Sequence, residues 1–161
     1  MISQSLIESV AQMLTDNHLT IATAESCTGG LLGHVLTSIS GSSAYYDRGI
    51  ISYTNQAKHD LLNVPIELLE TYGAVSEEVA KSMSEGVRTL AHTDLGVSTT
   101  GIAGPTGGTK EKPVGLVYIG VSTKNKTIVK RCEFQGSRLE NKESTCMEAL
   151  QLLKQMIQQK L

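Results

Sequence analysis

The sequence has 161 residues, of which 40% are hydrophobic and 19% charged, values typical of one globular domain that exclude a disordered chain. The formal net charge is −2 and lysine and arginine form no dense block, so we expect no nucleic-acid partner. No apolar run approaches the length of a membrane span and the amino terminus lacks a signal pattern, which predicts a cytoplasmic protein that does not enter a membrane.

The first part of the chain alternates predicted helices and strands. A helix over 5–17 begins with a capping-box pattern, and an apolar, β-branched strand over 19–22 follows it. A turn over 23–30 then leads into a second helix over 31–41, which has apolar residues on one face. A second strand spans 49–53.

The remainder contains further helices, a buried strand, a hairpin and a long final helix whose apolar stripe includes Leu161. These predicted elements span 55–62 with Thr54 or Asn55 as cap, 65–73, 76–90, 95–100, 114–122, 127–134 and 138–160. Such an order predicts an α/β domain over 1–161, with a mixed sheet covered by helices on both faces in three layers.

The turn over 23–30 places Ser26 between a strand and a helix, with the positive end of the helix behind it. A serine needs a base to act as a nucleophile, and the flanks of Ser26 do not match the Gly-x-Ser-x-Gly elbow. In the simpler interpretation, Ser26 and Thr28 only cap the helix. Gly29 and Gly30 favour a ligand close to the backbone, because two glycines at a helix start lower its propensity to form.

A second candidate group is formed by Tyr53, which ends the second predicted strand, and Lys58, in the first turns of the next helix. The positive end of that helix is expected to lower the pKa of Lys58, and a lysine with a lowered pKa can serve as a general base. His59 is adjacent but points to a different face. The alternative is that Lys58 is an ordinary solvated lysine.

A glycine-rich loop over 100–109 follows the buried strand. It matches neither the Gly-x-Gly-x-x-Gly nor the Walker pattern, but its backbone N–H groups can form a concave anion site, a nest. The alternative is a flexible surface loop. Arg138, at the start of the last helix, is a candidate phosphate partner, and the alternative is an arginine that is simply exposed. The candidate contacts within the loop are Thr100, Gly101, Gly104 and Gly107.

Cysteine usage indicates reduced thiols, because Cys27, Cys132 and Cys146 are odd in number and widely spaced. Cys27 is a rival nucleophile to Ser26, since a helix start favours the thiolate, and it is equally well explained as a small buried apolar residue. The chain has no CxxC pair and its histidines are scattered, so we expect no metal site.

Considered together, these segments resemble the CinA carboxy-terminal domain family, whose members include nicotinamide mononucleotide deamidases. The likeness follows family order and covers almost the whole chain. The matching segments are Thr23-Ala24-Glu25-Ser26-Cys27-Thr28-Gly29-Gly30-Leu31-Leu32, Tyr53-Thr54-Asn55-Gln56-Ala57-Lys58, Gly73-Ala74-Val75-Ser76, Thr100-Gly101-Ile102-Ala103-Gly104-Pro105 and Lys112-Pro113-Val114-Gly115.

The resemblance implies an amidohydrolase of pyridine nucleotide (NAD) salvage, in which Ser26 is the nucleophile, Lys58 its base and Tyr53 their partner. Nicotinamide mononucleotide would become nicotinate mononucleotide and ammonia through an acyl-enzyme, with no metal or organic cofactor. The loop after the buried strand would hold the ribose phosphate. The residues expected against the substrate in the serine turn are Cys27, Thr28, Gly29 and Gly30, with N–H groups from Cys27 to Gly29 as the oxyanion hole.

Three positions depart from the family pattern: Arg48, Ser137 and Lys142. Ser137 replaces a common acidic residue and Lys142 a common arginine, so these two departures concern phosphate binding rather than the catalytic trio. Two other interpretations are a nucleotide-binding member without turnover and an oligomeric scaffold. The resemblance also implies the form that stands alone without the amino-terminal domain of larger members, and we expect a homo-oligomer, a dimer or higher.

Overall fold

The computed structural model describes residues 1–160, and Leu161 lies outside the described residues. The helices are α1 (Gln4–Asp16), α2 (Leu31–Thr37), α3 (Asn55–Leu62), α4 (Ile66–Tyr72), α5 (Glu77–Ala91) and α6 (Arg138–Gln158). The strands are β1 (Ile21–Glu25), β2 (Tyr46–Ile51), β3 (Leu95–Gly101), β4 (Leu116–Ser122) and β5 (Thr127–Glu133). A single 3₁₀ turn spans Ser42–Ala44.

The five strands form one mixed sheet in the order β2-β1-β3-β4-β5. Strands β2, β1 and β3 are parallel, and β4 and β5 continue the sheet as an antiparallel hairpin. The chain leaves β1 toward β2 on one side and returns to β3 on the other side. The carboxyl ends of β1 and β3 therefore flank the point where the direction of the connections reverses.

Helices cover both faces of this sheet, which confirms the predicted three-layer α/β fold. One apolar cluster packs α1, α2 and α6 against the sheet, and a second packs α3, α4 and α5 against the other face. Strand β1 belongs to both clusters, because Ile21 faces the first and Ala22 and Ala24 face the second. Every residue of β1 is buried, as is typical of a strand in a sheet that is covered on both sides.

Predicted helix boundaries are wrong by up to four residues. Helix α1 begins one residue earlier than predicted, and its cap is the Ser3 hydroxyl, which accepts a hydrogen bond from the Leu6 N–H. The capping box lies instead at α6, where Ser137 and Glu140 exchange reciprocal bonds. Helix α2 ends at Thr37 rather than at Gly41.

Predicted strand boundaries also differ: β1 begins at Ile21 rather than 19, β2 at Tyr46 rather than 49, and β4 at Leu116 rather than 114. Strand β1 runs to Glu25, so it leads directly into Ser26. Strand β2 ends at Ile51, and Tyr53 lies in the segment that follows rather than on the strand. By contrast, Thr54 caps α3 as predicted, with its hydroxyl accepting from the Ala57 N–H at 3.1 Å.

Within residues 1–160, no helix combines the length and apolarity that crossing a membrane requires. The same residues contain no group of three or more histidine, cysteine or acidic side chains placed to hold a metal ion. All three cysteines are buried as free thiols: Cys27, Cys132 and Cys146.

Candidate active site

A cavity of about 280 Å³ opens at the carboxyl ends of β1 and β3, the reversal point of the sheet. Open α/β sheets bind ligands at such a point, because the loops on either side diverge and leave a crevice. A larger opening of about 550 Å³ lies between the α3–α4 segment and α5, and it contains none of the predicted site residues. The smaller cavity is therefore the candidate active site.

Five segments of the chain line this cavity: the turn after β1, the segment after β2 with α3, the α4–α5 connection, the loop after β3 and the start of α6. It brings together nine of the twelve predicted site residues, which are Ser26, Cys27, Tyr53, Lys58, Thr100, Gly101, Gly104, Gly107 and Arg138.

At the base of the cavity, Lys58 Nζ donates a hydrogen bond to Ser26 Oγ at 3.0 Å. The side chain of Lys58 is only 1% exposed, so the interpretation as a solvated surface lysine is wrong. Ser26 is itself held in place, because its N–H donates to the Thr99 carbonyl on β3 at 2.9 Å. Strand β3 thus fixes the backbone of the serine, and α3 brings the lysine to it.

The environment of Lys58 favours the neutral amine. Burial lowers its pKa, while the neighbouring Cys27 thiol opposes the shift, so the main cause is desolvation rather than the predicted helix dipole. Two backbone carbonyls, those of Ser52 and Tyr53, accept from Nζ at 3.1 and 3.4 Å. A neutral amine has two N–H bonds and one lone pair. Once Lys58 is neutral, its two N–H bonds can remain on these carbonyls, and the lone pair can then accept the Ser26 proton in place of the bond that the ammonium donates.

The cap of α2 is Glu25, not Ser26 or Thr28. The buried Glu25 carboxylate accepts from the N–H groups of Leu32 and Gly33 at 2.8 and 2.9 Å. The interpretation in which Ser26 merely caps the helix is therefore wrong, because the amino end of α2 is already satisfied. The hydroxyl of Ser26 remains available to Lys58.

Thr28, Gly29 and Gly30 lie outside the cavity lining. The Thr28 hydroxyl is fully buried, donates to Glu25 Oε1 at 2.6 Å and lies 2.7 Å from the Thr99 hydroxyl. Gly29 and Gly30 have φ values of 60° and 102°, so the shape of the turn explains both glycines without a ligand. The Gly29 N–H is also occupied, because it donates to the Ser26 carbonyl at 3.1 Å.

We expect Thr28→Val to destabilise the protein by about 1–3 kcal/mol, because the buried Glu25 carboxylate would lose a donor. Its activity should stay close to that of the wild type, since Thr28 does not reach the cavity. Urea unfolding gives the free-energy change, and Thr37→Val is the matched control, because Thr37 is an exposed helical threonine. A stability change no larger than in the control would contradict this role for Thr28.

The rival nucleophile Cys27 is suppressed by its surroundings. Burial raises the pKa of its thiol from 9.0 to about 12, the reverse of the lowering predicted from the helix start. At neutral pH this thiol is protonated and is a weak nucleophile. Cys27 instead offers its backbone: the N–H groups of Cys27 and Thr28 donate to no backbone carbonyl within residues 1–160.

Tyr53 and Arg138 meet across the cavity mouth. Arg138 Nη2 donates to the Tyr53 hydroxyl at 3.0 Å, and Arg138 Nη1 donates to the Gly104 carbonyl at 2.7 Å. Both Tyr53 and Arg138 are exposed. The guanidinium thus joins the segment after β2 to the loop after β3 at the exposed rim of the cavity.

Two side-chain hydrogen bonds fix the end of β3 and the start of the loop that follows it. The Thr100 hydroxyl donates to the Ala74 carbonyl at 2.8 Å, and the buried Asn141 side chain donates to the Ala103 carbonyl at 3.0 Å. Gly101 is required by packing, because a Cβ there would lie 2.6 Å from the Leu116 carbonyl oxygen. Gly104 and Gly107 have positive φ, and their N–H groups donate to no backbone carbonyl within residues 1–160.

Several cavity residues were not assigned a role from the sequence, among them Asn55, Ala74, Val75 and Thr106. Asn55, Ala74 and Val75 belong to the family motifs quoted above, so the match to those motifs could have identified them as cavity residues. Ser52 was also missed: its hydroxyl is fully buried next to Lys58 and has no partner within residues 1–160. Ser137 and Lys142 do not line the cavity.

Comparison with known proteins gives one consistent result. The family model described as the CinA C-terminal domain matches residues 3–157. A putative competence-damage inducible protein of Thermoanaerobacter pseudethanolicus is 48% identical over 154 residues, covering 96% of this chain and 37% of the relative. A CinA-like protein of Syntrophus aciditrophicus is 50% identical over 155 residues. The chain thus spans 37% of the length of both relatives.

Solved structures agree over nearly the full length. The competence/damage inducible protein CihA from Agrobacterium tumefaciens superposes with a TM-score of 0.92 at 40% identity, covering 96% of each chain. A competence-damaged protein (CinA) superfamily protein from Escherichia coli superposes with a TM-score of 0.91 at 32% identity. The match covers 97% of this chain and 94% of the Escherichia coli chain.

Proposed function

This chain belongs to the CinA C-terminal domain family, and from that membership and its cavity we propose an amidohydrolase that converts nicotinamide mononucleotide to nicotinate mononucleotide and ammonia, a reaction of NAD salvage. The observation that carries the proposal is the 3.0 Å contact between Lys58 Nζ and Ser26 Oγ. A buried lysine oriented by two carbonyls toward a serine hydroxyl is the arrangement that a serine–lysine acyl transfer needs.

In the first half of the proposed reaction, the neutral Lys58 amine takes the proton of Ser26 Oγ as this oxygen bonds to the carboxamide carbon. The carbonyl oxygen becomes an oxyanion, and the N–H group of Cys27, which lines the cavity, is the donor proposed to hold it. The Lys58 ammonium then gives its proton to the amide nitrogen. The carbon–nitrogen bond breaks, ammonia leaves and an acyl-enzyme remains on Ser26.

In the second half, a water molecule attacks the acyl carbon while Lys58 takes one of its protons. The carbon–oxygen bond to Ser26 breaks, and the proton on Lys58 returns to Ser26 Oγ. Nicotinate mononucleotide is released, and the only co-reactant consumed is water. The same lysine serves as base and acid in both halves, which suits a pKa lowered by burial toward the working pH.

Recognition of the ribose phosphate is proposed for the upper part of the cavity. Arg138 supplies a guanidinium, and the free N–H groups of Gly104 and Gly107 supply neutral donors beside it. Ser137 is already engaged, because its hydroxyl accepts from the Glu140 N–H in the capping box. The departure from the family pattern at Ser137 is thus compatible with phosphate binding through Arg138.

The direct test is ammonia release from nicotinamide mononucleotide, measured beside a panel of other pyridine amides. Turnover of the mononucleotide with formation of nicotinate mononucleotide supports the proposal. Thermal stabilisation by the mononucleotide without ammonia would favour the second candidate, a nucleotide-binding member that has kept the cavity but not turnover. Light scattering on the same sample tests the expected homo-oligomer.

We expect Arg138→Gln to lower the preference for nicotinamide mononucleotide over nicotinamide riboside by about 10- to 150-fold, the value of one charge-assisted phosphate contact. The ratio of kcat/KM for the two substrates isolates the phosphate, because any effect through Tyr53 is common to both. Arg48→Gln is the matched control, since Arg48 is an exposed arginine outside the cavity. An unchanged ratio in Arg138→Gln would assign the phosphate to other groups.

A further inference from the structure

A second polar cavity, of about 380 Å³, lies between α5 and the turn that joins β4 to β5. We call it the distal cavity; its charged lining residues are Lys81, Glu85, Arg88, Lys124 and Lys126. It lies at the end of the sheet where Ser122 pairs with Gly96, whereas the active-site cavity lies beyond Gly101 on the same strand. Five residues of strand separate the two ends by about 17 Å, so the cavities are distinct.

The distal cavity concentrates positive charge. Four cationic side chains and one carboxylate line it, although the whole chain has a net charge of −2. The carboxylate, Glu85, accepts from the Thr127 hydroxyl at 2.7 Å and lies 4.0 Å from Lys81. Within residues 1–160, the cationic groups of Arg88, Lys124 and Lys126 have no carboxylate within salt-bridge distance.

Arg88 is fixed in this cavity by packing and by a hydrogen bond. Its Nε donates to the hydroxyl of Ser122, a fully buried residue, at 3.1 Å. Helix α5 approaches β3 so closely at Gly96 that a Cβ there would lie 2.7 Å from Arg88 Cβ. Packing at Cβ and the hydrogen bond at Nε therefore hold the Arg88 side chain in place. Its terminal Nη groups donate no hydrogen bond within residues 1–160. A guanidinium held in this way is suited to bidentate recognition of phosphate.

Each cation has a simpler explanation when it is considered alone. Arg88 lies in the last turn of α5, where positive charge suits the helix dipole, and Lys124 and Lys126 lie on an exposed turn. These explanations do not account for four cations around one opening, of which three lack a carboxylate partner. Among residues 1–160, no aromatic side chain lines the distal cavity, so a ligand there would be recognised by its charge and not by a stacked ring.

We infer that the distal cavity binds a small phosphate-bearing anion with adjacent negative charges, such as a diphosphate group. This site is independent of the amidohydrolase proposed above. Arg88 provides the fixed contact, and Lys81, Lys124 and Lys126 provide the surrounding charge.

The test is titration calorimetry with inorganic pyrophosphate at physiological ionic strength. We expect saturable binding with one pyrophosphate per chain, weakened at least tenfold in Arg88→Gln. Arg131→Gln is the matched control, because Arg131 lies on β5 outside the distal cavity, is half exposed and contacts Glu133. Arg138→Gln is a second control, which tests whether pyrophosphate binds in the active-site cavity instead. Both controls should bind within twofold of the wild type.

Lys124→Gln with Lys126→Gln is a second variant that keeps the test valid if Arg88→Gln unfolds, because both lysines are exposed. It should weaken binding by a similar factor. Absence of saturable binding, equal weakening in Arg131→Gln, or loss only in Arg138→Gln would each overturn the inference. A single-stranded oligonucleotide that binds more tightly than pyrophosphate and depends on Arg88 would also overturn it, in favour of a nucleic-acid backbone.

Discussion

Replacing Ser26 with alanine is expected to lower kcat for ammonia release from nicotinamide mononucleotide by about 10⁴-fold or more, because the acyl-enzyme can no longer form. Ser26→Ala should remain folded, since the Ser26 N–H keeps its bond to the Thr99 carbonyl and Glu25 keeps the cap of α2. It should still bind the mononucleotide, which thermal stabilisation would detect.

Two further measurements make this prediction specific to the serine. After the reaction is quenched, the intact mass of the wild type should include an adduct of one nicotinate-mononucleotide acyl group. Peptide mapping should then locate this adduct on the peptide that contains Ser26. Cys27→Ala is the matched control and should keep most of its activity, because burial raises the pKa of that thiol to about 12. Undiminished turnover in Ser26→Ala, or loss only in Cys27→Ala, would rule out the serine mechanism.

The second large effect is expected from Lys58→Met, which should lower kcat by about 10²–10⁴-fold, the usual contribution of a general base. The wild-type kcat/KM should rise with pH as the Lys58 ammonium loses its proton, with an apparent pKa below the ordinary value of 10.5. This acid limb should be missing in the residual activity of Lys58→Met. Lys142→Met is the matched control, because Lys142 Nζ lies close to Gly29 but outside the cavity.

Lys58→Met should also be more stable than the wild type to urea. Burial disfavours the ammonium, so the folded-state pKa of Lys58 lies below its unfolded value. Between these two values the unfolded chain binds more protons, and wild-type stability rises with pH. The advantage of Lys58→Met is therefore full below the folded-state pKa and fades toward pH 10.5. An advantage that grows with pH would contradict a depressed pKa.

The layers of the fold could be predicted because their signals are local. Thr54 and Ser76 each precede a helix and cap it, and each side-chain hydroxyl accepts from the N–H three residues later. The alternation of helices and strands then limits the sheet to a helix-covered α/β arrangement. The Ser5 to Glu8 pattern failed although it has the right residue types, because Ser3 lies two residues earlier and caps the same helix.

The role of Glu25 was beyond prediction from local rules. A cap is ordinarily sought at the residue that precedes a helix, yet Glu25 lies six positions before α2 and reaches it across the turn. Gly29 and Gly30 have positive φ values, so the shape of the turn is itself a reason for glycine at both positions, and the sequence pattern did not indicate this. A cap supplied from six positions before the helix depends on the tertiary structure, which local sequence rules do not describe.

The contact between Ser26 and Lys58 could be predicted only in part. The two residues are 32 positions apart, and periodicity gives no reason to pair them. The resemblance to a family linked them, and the parallel pairing of β1 with β2 explains the contact. Glu25 is paired with Ile51, so the segments that follow the two strands leave the sheet side by side.

The five-segment lining of the active-site cavity has a consequence for how such a domain changes over time. The proposed reacting groups lie in the first 58 residues, whereas the proposed recognition groups lie after residue 100. Strand β1 and its two parallel neighbours hold the first set, and the loop after β3 and the start of α6 hold the second. Insertions or exchanges in 102–113 can thus alter which ligand the cavity admits while Ser26 and Lys58 keep their contact, so under the proposed mechanism new specificities can evolve with the same serine.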